Sequence, residues 1–205
     1  MKQYRGCSKL VYAPYTYADG KITFGAVKTL GAVKSISREI AAESEEVWAD
    51  NQLQDTTYGG TSVTRTFGCT RIDPAVDAEL MGKSVVEVGT NKMYGTAPDG
   101  SARPYIAVGY ALHDGDVNKP CEVVWAYKGV VNSISQTSNT IDRGTGSEGQ
   151  EVNITFSAPD LPWTKTNKSE LDFAMPITDT NKDIVSKWFA KVITPDNAQT
   201  ELVTA

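Results

Sequence analysis

Asp114, Asp116 and Asn118 carry side-chain oxygens at the i, i+2, i+4 spacing that opens a calcium loop, and Asp179, Asn181 and Asp183 repeat it. Such a loop next needs a glycine for its sharp turn, and a bidentate carboxylate at its end. The first segment has Lys119 and Trp125 at those places, the second Ile184 and Ala190. Both therefore read as a turn and a helix cap. His113, the only histidine, stands beside Asp114 with no nucleophile or further ligand near it in sequence, and reads as a solvated surface residue. Gly144-Thr145-Gly146-Ser147-Glu148-Gly149 has the spacing of a dinucleotide-binding loop. That loop must follow a strand and open a helix, whereas here a strand-like run, Glu151 to Phe156, comes next. Cys7, Cys69 and Cys121 are odd in number and widely spaced, which fits neither a disulfide framework nor a zinc knuckle. Residue chemistry thus points to no catalytic site, no cofactor and no metal, and the expectation is a protein that is not an enzyme.

Composition narrows the classes further. The chain has 205 residues, with 20 basic and 25 acidic side chains and a formal net charge of −5. An acidic balance argues against a protein that wraps phosphate backbones. The longest apolar run, Val123 to Tyr127, is too short to cross a bilayer. No apolar segment follows the opening Met-Lys-Gln-Tyr-Arg, so no secretory signal is expected, and synthesis in a cytoplasm is.

The elements that must position any site are mostly strands. Ser8 to Tyr12 is a short apolar-rich run. Lys21 to Phe24 alternates strictly, and Asp19-Gly20 before it tolerates the positive φ angles of a tight hairpin turn. Val33 to Ile40 alternates weakly, and Glu45 to Ala49 is a further extended candidate. In Ser62 to Ile72, Val63, Arg65, Phe67 and Cys69 share one face. Tyr105 to Leu112, Glu122 to Val131 and Glu151 to Ser157 complete the strands. One helix opens at Asp73-Pro74 and stops at Gly82. A second is expected from about Asn181 to Val192, with an apolar stripe of Ile184, Val185, Trp188, Phe189 and Val192. Asp50 to Gly60, Gly95 to Pro104 and Ser138 to Gln150 read as long surface loops. The tail from Asp196 has few anchors and reads as an arm or as disorder. The fold class is mainly β, sandwich- or barrel-like, with one or two short packing helices. Residues 1–195 form a single domain and 196–205 a C-terminal arm.

One charge run stands apart. Between Glu39 and Asp55 there are six carboxylates (Glu39, Glu43, Glu45, Glu46, Asp50 and Asp55) and no lysine or arginine, so the run is either a solvated acidic edge or a surface that repels a polyanion.

Several segments resemble, in order along the chain, the major tail proteins of long, non-contractile-tailed bacteriophages. They are Leu10-Val11-Tyr12-Ala13-Pro14, Leu30 to Ser37, Val47-Trp48-Ala49-Asp50-Asn51, Gly59-Gly60-Thr61, and Asp183 to Val192, which is similar to that family's closing helix. The resemblance covers most of the chain and includes no catalytic signature. It implies a virion protein, made in the host cytoplasm, that assembles as hexameric rings stacked into a tail tube. Its partners would be further copies of itself and other tail proteins (tape measure, distal tail, terminator). Double-stranded DNA would pass through without specific binding, and no membrane would be involved. Two other readings stay open: another virion β-domain such as a tail terminator, or a carbohydrate-binding β-sandwich with Trp48, Trp125 and Trp163 as its platform.

Within the tube reading, the loop from Asp50 to Gly60 is expected to reach a neighbouring subunit. Trp48, Asp50, Asn51, Asp55 and Tyr58 are its interface residues, with Trp48 and Tyr58 anchoring the ends. A conduit for DNA must not hold its cargo, and carboxylates repel phosphate within about 10 Å at modest salt. Strand parity puts Glu43, Glu45 and Val47 on one face and Ser44 and Glu46 on the other. Glu43 and Glu45 are the lumen-facing candidates.

Overall fold

The computed structural model describes residues 3–49, 52–96, 102–116, 118–137 and 149–203, with residues 42–58 and 60 described by backbone pairing alone. The described chain is mostly β, in an antiparallel sheet with three short helices. The strands are β1 (Gly6–Ala18), β2 (Lys21–Phe24), β3 (Lys28–Thr29), β4 (Gly31–Ala49), β5 (Gln52–Ile72), β6 (Ser84–Val88), β7 (Asn91–Gly95), β8 (Ile106–His113), β9 (Glu122–Gln136), β10 (Gln150–Phe156) and β11 (Asp172–Pro176). The helices are α1 (Pro74–Met81), α2 (Ile184–Trp188) and α3 (Ala198–Val203).

The large sheet runs β2-β1-β8-β9-β10-β5-β4, with β11 also on β9 and β3 also on β1. Only Leu30 separates β3 from β4. Because β3 pairs with β1 while β4 pairs with β5, the last strand of the order is brought back beside β1. The Leu30 N–H donates to Leu10 O at 3.1 Å at this junction. The sheet therefore closes on itself as a barrel, which removes most free edges.

Strand alternation fills the interior. Val63, Phe67 and Cys69 of β5 meet Val152, Ile154 and Phe156 of β10, Ile106, Val108 and Tyr110 of β8, and Leu80 of α1. The other face of β8 and β9 is also buried. Ala107, Ala111, Val123, Trp125 and Tyr127 point outward into a second core, covered by Trp188, Val192, Ile193 and Leu202. This explains why β8 and β9 read as continuous apolar runs. The Trp125 indole N–H donates to Trp188 O at 2.9 Å, and the Tyr127 hydroxyl to Ile193 O at 2.6 Å. Both polar tips are thereby satisfied where water is excluded.

Local signals hold at the turns. Asp19 and Gly20 have φ of 51° and 69°, and join Ala18 to Lys21 in a two-residue hairpin. Asp73 accepts from the Ala75 amide at 2.8 Å, and Gly82 closes α1 with φ 63°.

Four expectations are corrected. Gln52 to Gly60 is not loop but strand, and Val33 to Ile40 joins Glu45 to Ala49 within the single strand β4. Its polarity misled because a ribbon with no core beneath it needs no apolar alternation, while Thr56, Thr57 and Tyr58 are good strand formers. The second helix shrinks to Ile184–Trp188. Asn197 takes over the backbone groups that a longer helix would use, its Nδ2 donating to Val192 O at 3.0 Å and its Oδ1 accepting from Thr194 N at 2.8 Å. The tail is docked rather than free. Ala198–Val203 is helical, Leu202 is buried in the second core, and Lys191 pairs with Glu201 at 2.9 Å. Ser84 to Gly95, which carried no expectation, forms the β6–β7 hairpin.

Candidate assembly interface

The barrel supports β4 and β5 over only part of their length. β10 pairs with β5 from Val63 to Cys69. Beyond the Ile40–Val63 pair, the two strands continue from Ala41–Ser62 to Ala49–Gln52 against each other alone. At about 3.3 Å per residue this makes an arm of roughly 25–30 Å. No third strand touches it among the described residues. At its root Ile40 is 55% exposed, so the ribbon leaves the core abruptly. An isolated two-stranded ribbon is marginal in water, and the outer edge of β4 is a row of unpaired backbone groups.

The expected interface residues all belong to this arm. Trp48 pairs with Leu53, Val47 with Asp55, and Ser44 with Tyr58, while Asp50 and Asn51 lie outside the described residues. Glu45 pairs with Thr57. Between the Ala42–Thr61 and Ser44–Tyr58 pairs, β5 spends Gly59 and Gly60 against Glu43 alone. That extra residue is a bulge, which bends and twists a ribbon. The arm thus gathers Trp48, Asp55, Tyr58, Glu43 and Glu45 on one element, and their side chains lie outside the description.

A second unsupported ribbon follows α1. β6 and β7 pair only with each other and carry Val85, Val86, Val88, Met93 and Tyr94, all exposed, with Met93 at 63%. Such a concentration of apolar surface marks a contact site. Its sequence signal was available: a Val-rich run, then Gly89 at φ 62° opening a two-residue turn. On the face of β5, β9 and β10 that carries Thr64, Asn132, Asn153 and Thr155, polar side chains bond to one another. Thr64 meets Thr155 at 3.2 Å, and Asn132 donates to Asn153 at 3.0 Å and to Thr155 at 2.6 Å.

The chemistry-bearing residues take structural roles. His113 is 4% exposed, contrary to the solvated reading. Its Nδ1 lies 2.9 Å from Asp116 O, which assigns the ring proton there, so Nε2 accepts from the Ser8 hydroxyl at 2.7 Å. Both ring nitrogens are satisfied by this arrangement, which is what a buried imidazole requires. Asp114, Asp116, Asn118, Asp179 and Asp183 line one cleft of about 680 Å³, with Lys119 and Lys182 among them. No group of three metal-ligating side chains occurs among the described residues. Trp125 and Trp163 are buried, so the aromatic platform of the carbohydrate-binding reading is not formed. Trp48, its third member, has no described side chain. Burial pushes the Cys69 thiol up to about 11 and raises that of Cys7, as suits inert thiols. The glycine-rich loop falls largely in residues 138–148, outside the description.

No family model matches the chain, and no curated protein matches it. Among solved structures it is similar to a chain of the PVC sheath–tube complex, an extracellular contractile injection system in its extended state. The TM-score is 0.42 and the identity 10%, over 83% of this chain and 90% of that chain. It is also similar to a chain of the tube-terminating cap of the anti-feeding prophage, with a TM-score of 0.41 and 9% identity over 82% of this chain and 88% of that chain. Among the described residues, no helix is long and apolar enough to cross a membrane.

Proposed function

We propose that the chain is a structural tail-tube subunit. Copies join as hexameric rings, the rings stack head to tail, and double-stranded DNA passes through the lumen on ejection. Tape-measure, distal-tail and terminator proteins would meet the tube inside and at its ends. The observation that carries this reading is the arm. A chain that closes its own barrel, yet extends about 25–30 Å of two-stranded ribbon beyond it, is built to be completed by a neighbour. The acidic run supports the same reading, as does the sequence resemblance. Glu43 and Glu45 would face the lumen, and Trp48, Asp50, Asn51, Asp55 and Tyr58 the adjoining subunit.

Negative-stain electron microscopy and sedimentation of the purified protein test the proposal. Rings or tubes are expected at high concentration. A variant in which residues 43–60 are replaced by a short Gly-containing turn should keep its circular dichroism and its melting temperature to within about 5 °C, because the barrel core is untouched. It should form no tubes. A monomer at every concentration, with and without tail-initiating components, refutes the reading. Rings that never stack would instead assign a terminator.

A further inference from the structure

We propose that the groove between β1 and α2 receives the hairpin arm of a second copy. The inference rests on the tube reading and names the surface that completes it. The groove encloses about 540 Å³ and is lined by Val185, Phe189 and Ala190 together with Ser186, Lys9 and Lys182. Lys9 is placed there by the backbone. Between the Ser8–Ala111 and Val11–Gly109 pairs, β1 spends Lys9 and Leu10 against Tyr110 alone. Leu10 turns into the core, and Lys9 takes a φ of 59°, a left-handed conformation that a lysine rarely holds. A bulge of this kind re-aims a side chain.

The two ammonium groups have no ion-pair partner among the described residues. Neighbouring lysines do, Lys119 with Asp179 at 3.4 Å and Lys191 with Glu201 at 2.9 Å. Asp183 also lines the groove, so it carries two cations against one carboxylate. Its chemistry is an apolar lining with a net positive charge.

The arm supplies the complement. From Glu43 to Asp55 there are five carboxylates, no lysine and no arginine, and Trp48 lies among them. Glu46 and Trp48 share a strand parity on β4, opposite to that of Glu43 and Glu45. A chain's own arm cannot fill its own groove. β4 starts beside β1 at Gly31 and runs on to Ala49, about 60 Å of extended strand away from it. Arm and groove are different surfaces, so their contact is heterologous and propagates from copy to copy.

The test is a charge swap in the full-length chain, read by sedimentation and negative-stain microscopy. Lys9→Glu/Lys182→Glu should melt like the wild type and raise the concentration needed for assembly by at least about tenfold. Glu46→Lys, which leaves Glu43 and Glu45 on the opposite parity untouched, should do the same. The combined variant should return to within about threefold of the wild type, because the attraction is restored with its sign exchanged. Groove variants that assemble like the wild type overturn the proposal, as does a combined variant that stays impaired. A wild-type chain that never leaves the monomer overturns the tube reading itself.

Discussion

Arg65 is the one fully buried cation of the described barrel, and its partner can be removed by a single substitution. It stands on β5 between Val63 and Phe67, with its guanidinium 5.0 Å from the Phe156 ring centre and 5.7 Å from that of Tyr110. Nη2 donates to Asp172 at the head of β11, while Nε and Nη1 find no hydrogen-bond partner. Asp172 is 23% exposed at its side chain, and Arg38 approaches it at 3.6 Å. Asp172→Asn keeps the shape and removes the charge that compensates Arg65. Breaking a buried pair in this way costs about 3–5 kcal/mol, because the remaining ion stays desolvated. The partial exposure of Asp172 puts the expected loss at the lower end, about 3 kcal/mol. At about 2–4 °C per kcal/mol for a chain of this size, the melting temperature should fall by about 6–12 °C. Arg65→Met/Asp172→Asn removes both charges and should return to within about 1 kcal/mol of the wild type. Urea unfolding followed by circular dichroism gives both numbers. An Asp172→Asn variant within about 0.5 kcal/mol of wild type would falsify the assignment of Asp172 as the charge that makes a buried Arg65 tolerable.

Two further outcomes are expected. Asp160 accepts from Lys128 Nζ at 2.6 Å and from the Tyr15 hydroxyl at 2.7 Å, and these bonds hold its carboxyl below the usual range. A carboxyl lowered on folding adds stability above its unfolded pKa and loses it as pH falls through the folded value. Asp160→Asn should therefore unfold at lower urea than wild type at neutral pH, with the gap closing by about pH 2, and an undiminished gap there would contradict the linkage. Glu43→Lys/Glu45→Lys should leave tubes intact and slow genome ejection about tenfold at low salt, with added salt easing the defect. Ejection at the normal rate in low salt would remove both residues from the lumen wall.

The parts of the fold legible in the sequence are those where one residue type has one physical use. Asp19-Gly20 and Asp73-Pro74 mark a hairpin turn and a helix start because few other pairs take those backbone angles or caps. Val63, Arg65, Phe67 and Cys69 mark a strand face because burial imposes the period of two, although the buried charge at Arg65 depends on β11 more than a hundred residues later. The arm was not legible as strand, since its sequence carries no apolar alternation and its two strands pair only with each other among the described residues. His113 looked solvated because its partners, Ser8 and the Asp116 carbonyl, come from a distant strand and a loop. The helix near Asn181 was overdrawn because its stripe is buried by a turn of chain, held through Asn197, instead of by a regular helix. Among the interface residues, sequence order alone put Trp48 and Tyr58 at the ends of one segment, and the register of β4 with β5 makes that segment a ribbon.

The division between supported and unsupported strand also bears on when assembly can occur. The barrel and the second core bury their apolar residues within one chain, so folding of this part does not wait for a partner. The arm and the β6–β7 ribbon have the opposite character: each is a pair of strands with no third strand beside it among the described residues, and the apolar side chains of the β6–β7 ribbon are exposed. On the proposed tube reading, a neighbour covering them would offset the entropy of ordering them. On the same reading, such a subunit would fold as a monomer, and addition to an existing ring would cost less than formation of the first contacts. The free β4 edge would otherwise invite uncontrolled pairing, and the carboxylates from Glu43 to Asp55 would oppose it through charge repulsion between arms. One acidic run would, on that reading, keep free subunits apart, hold phosphate away from the wall, and select a partner surface whose lysines have no ion pair among the described residues.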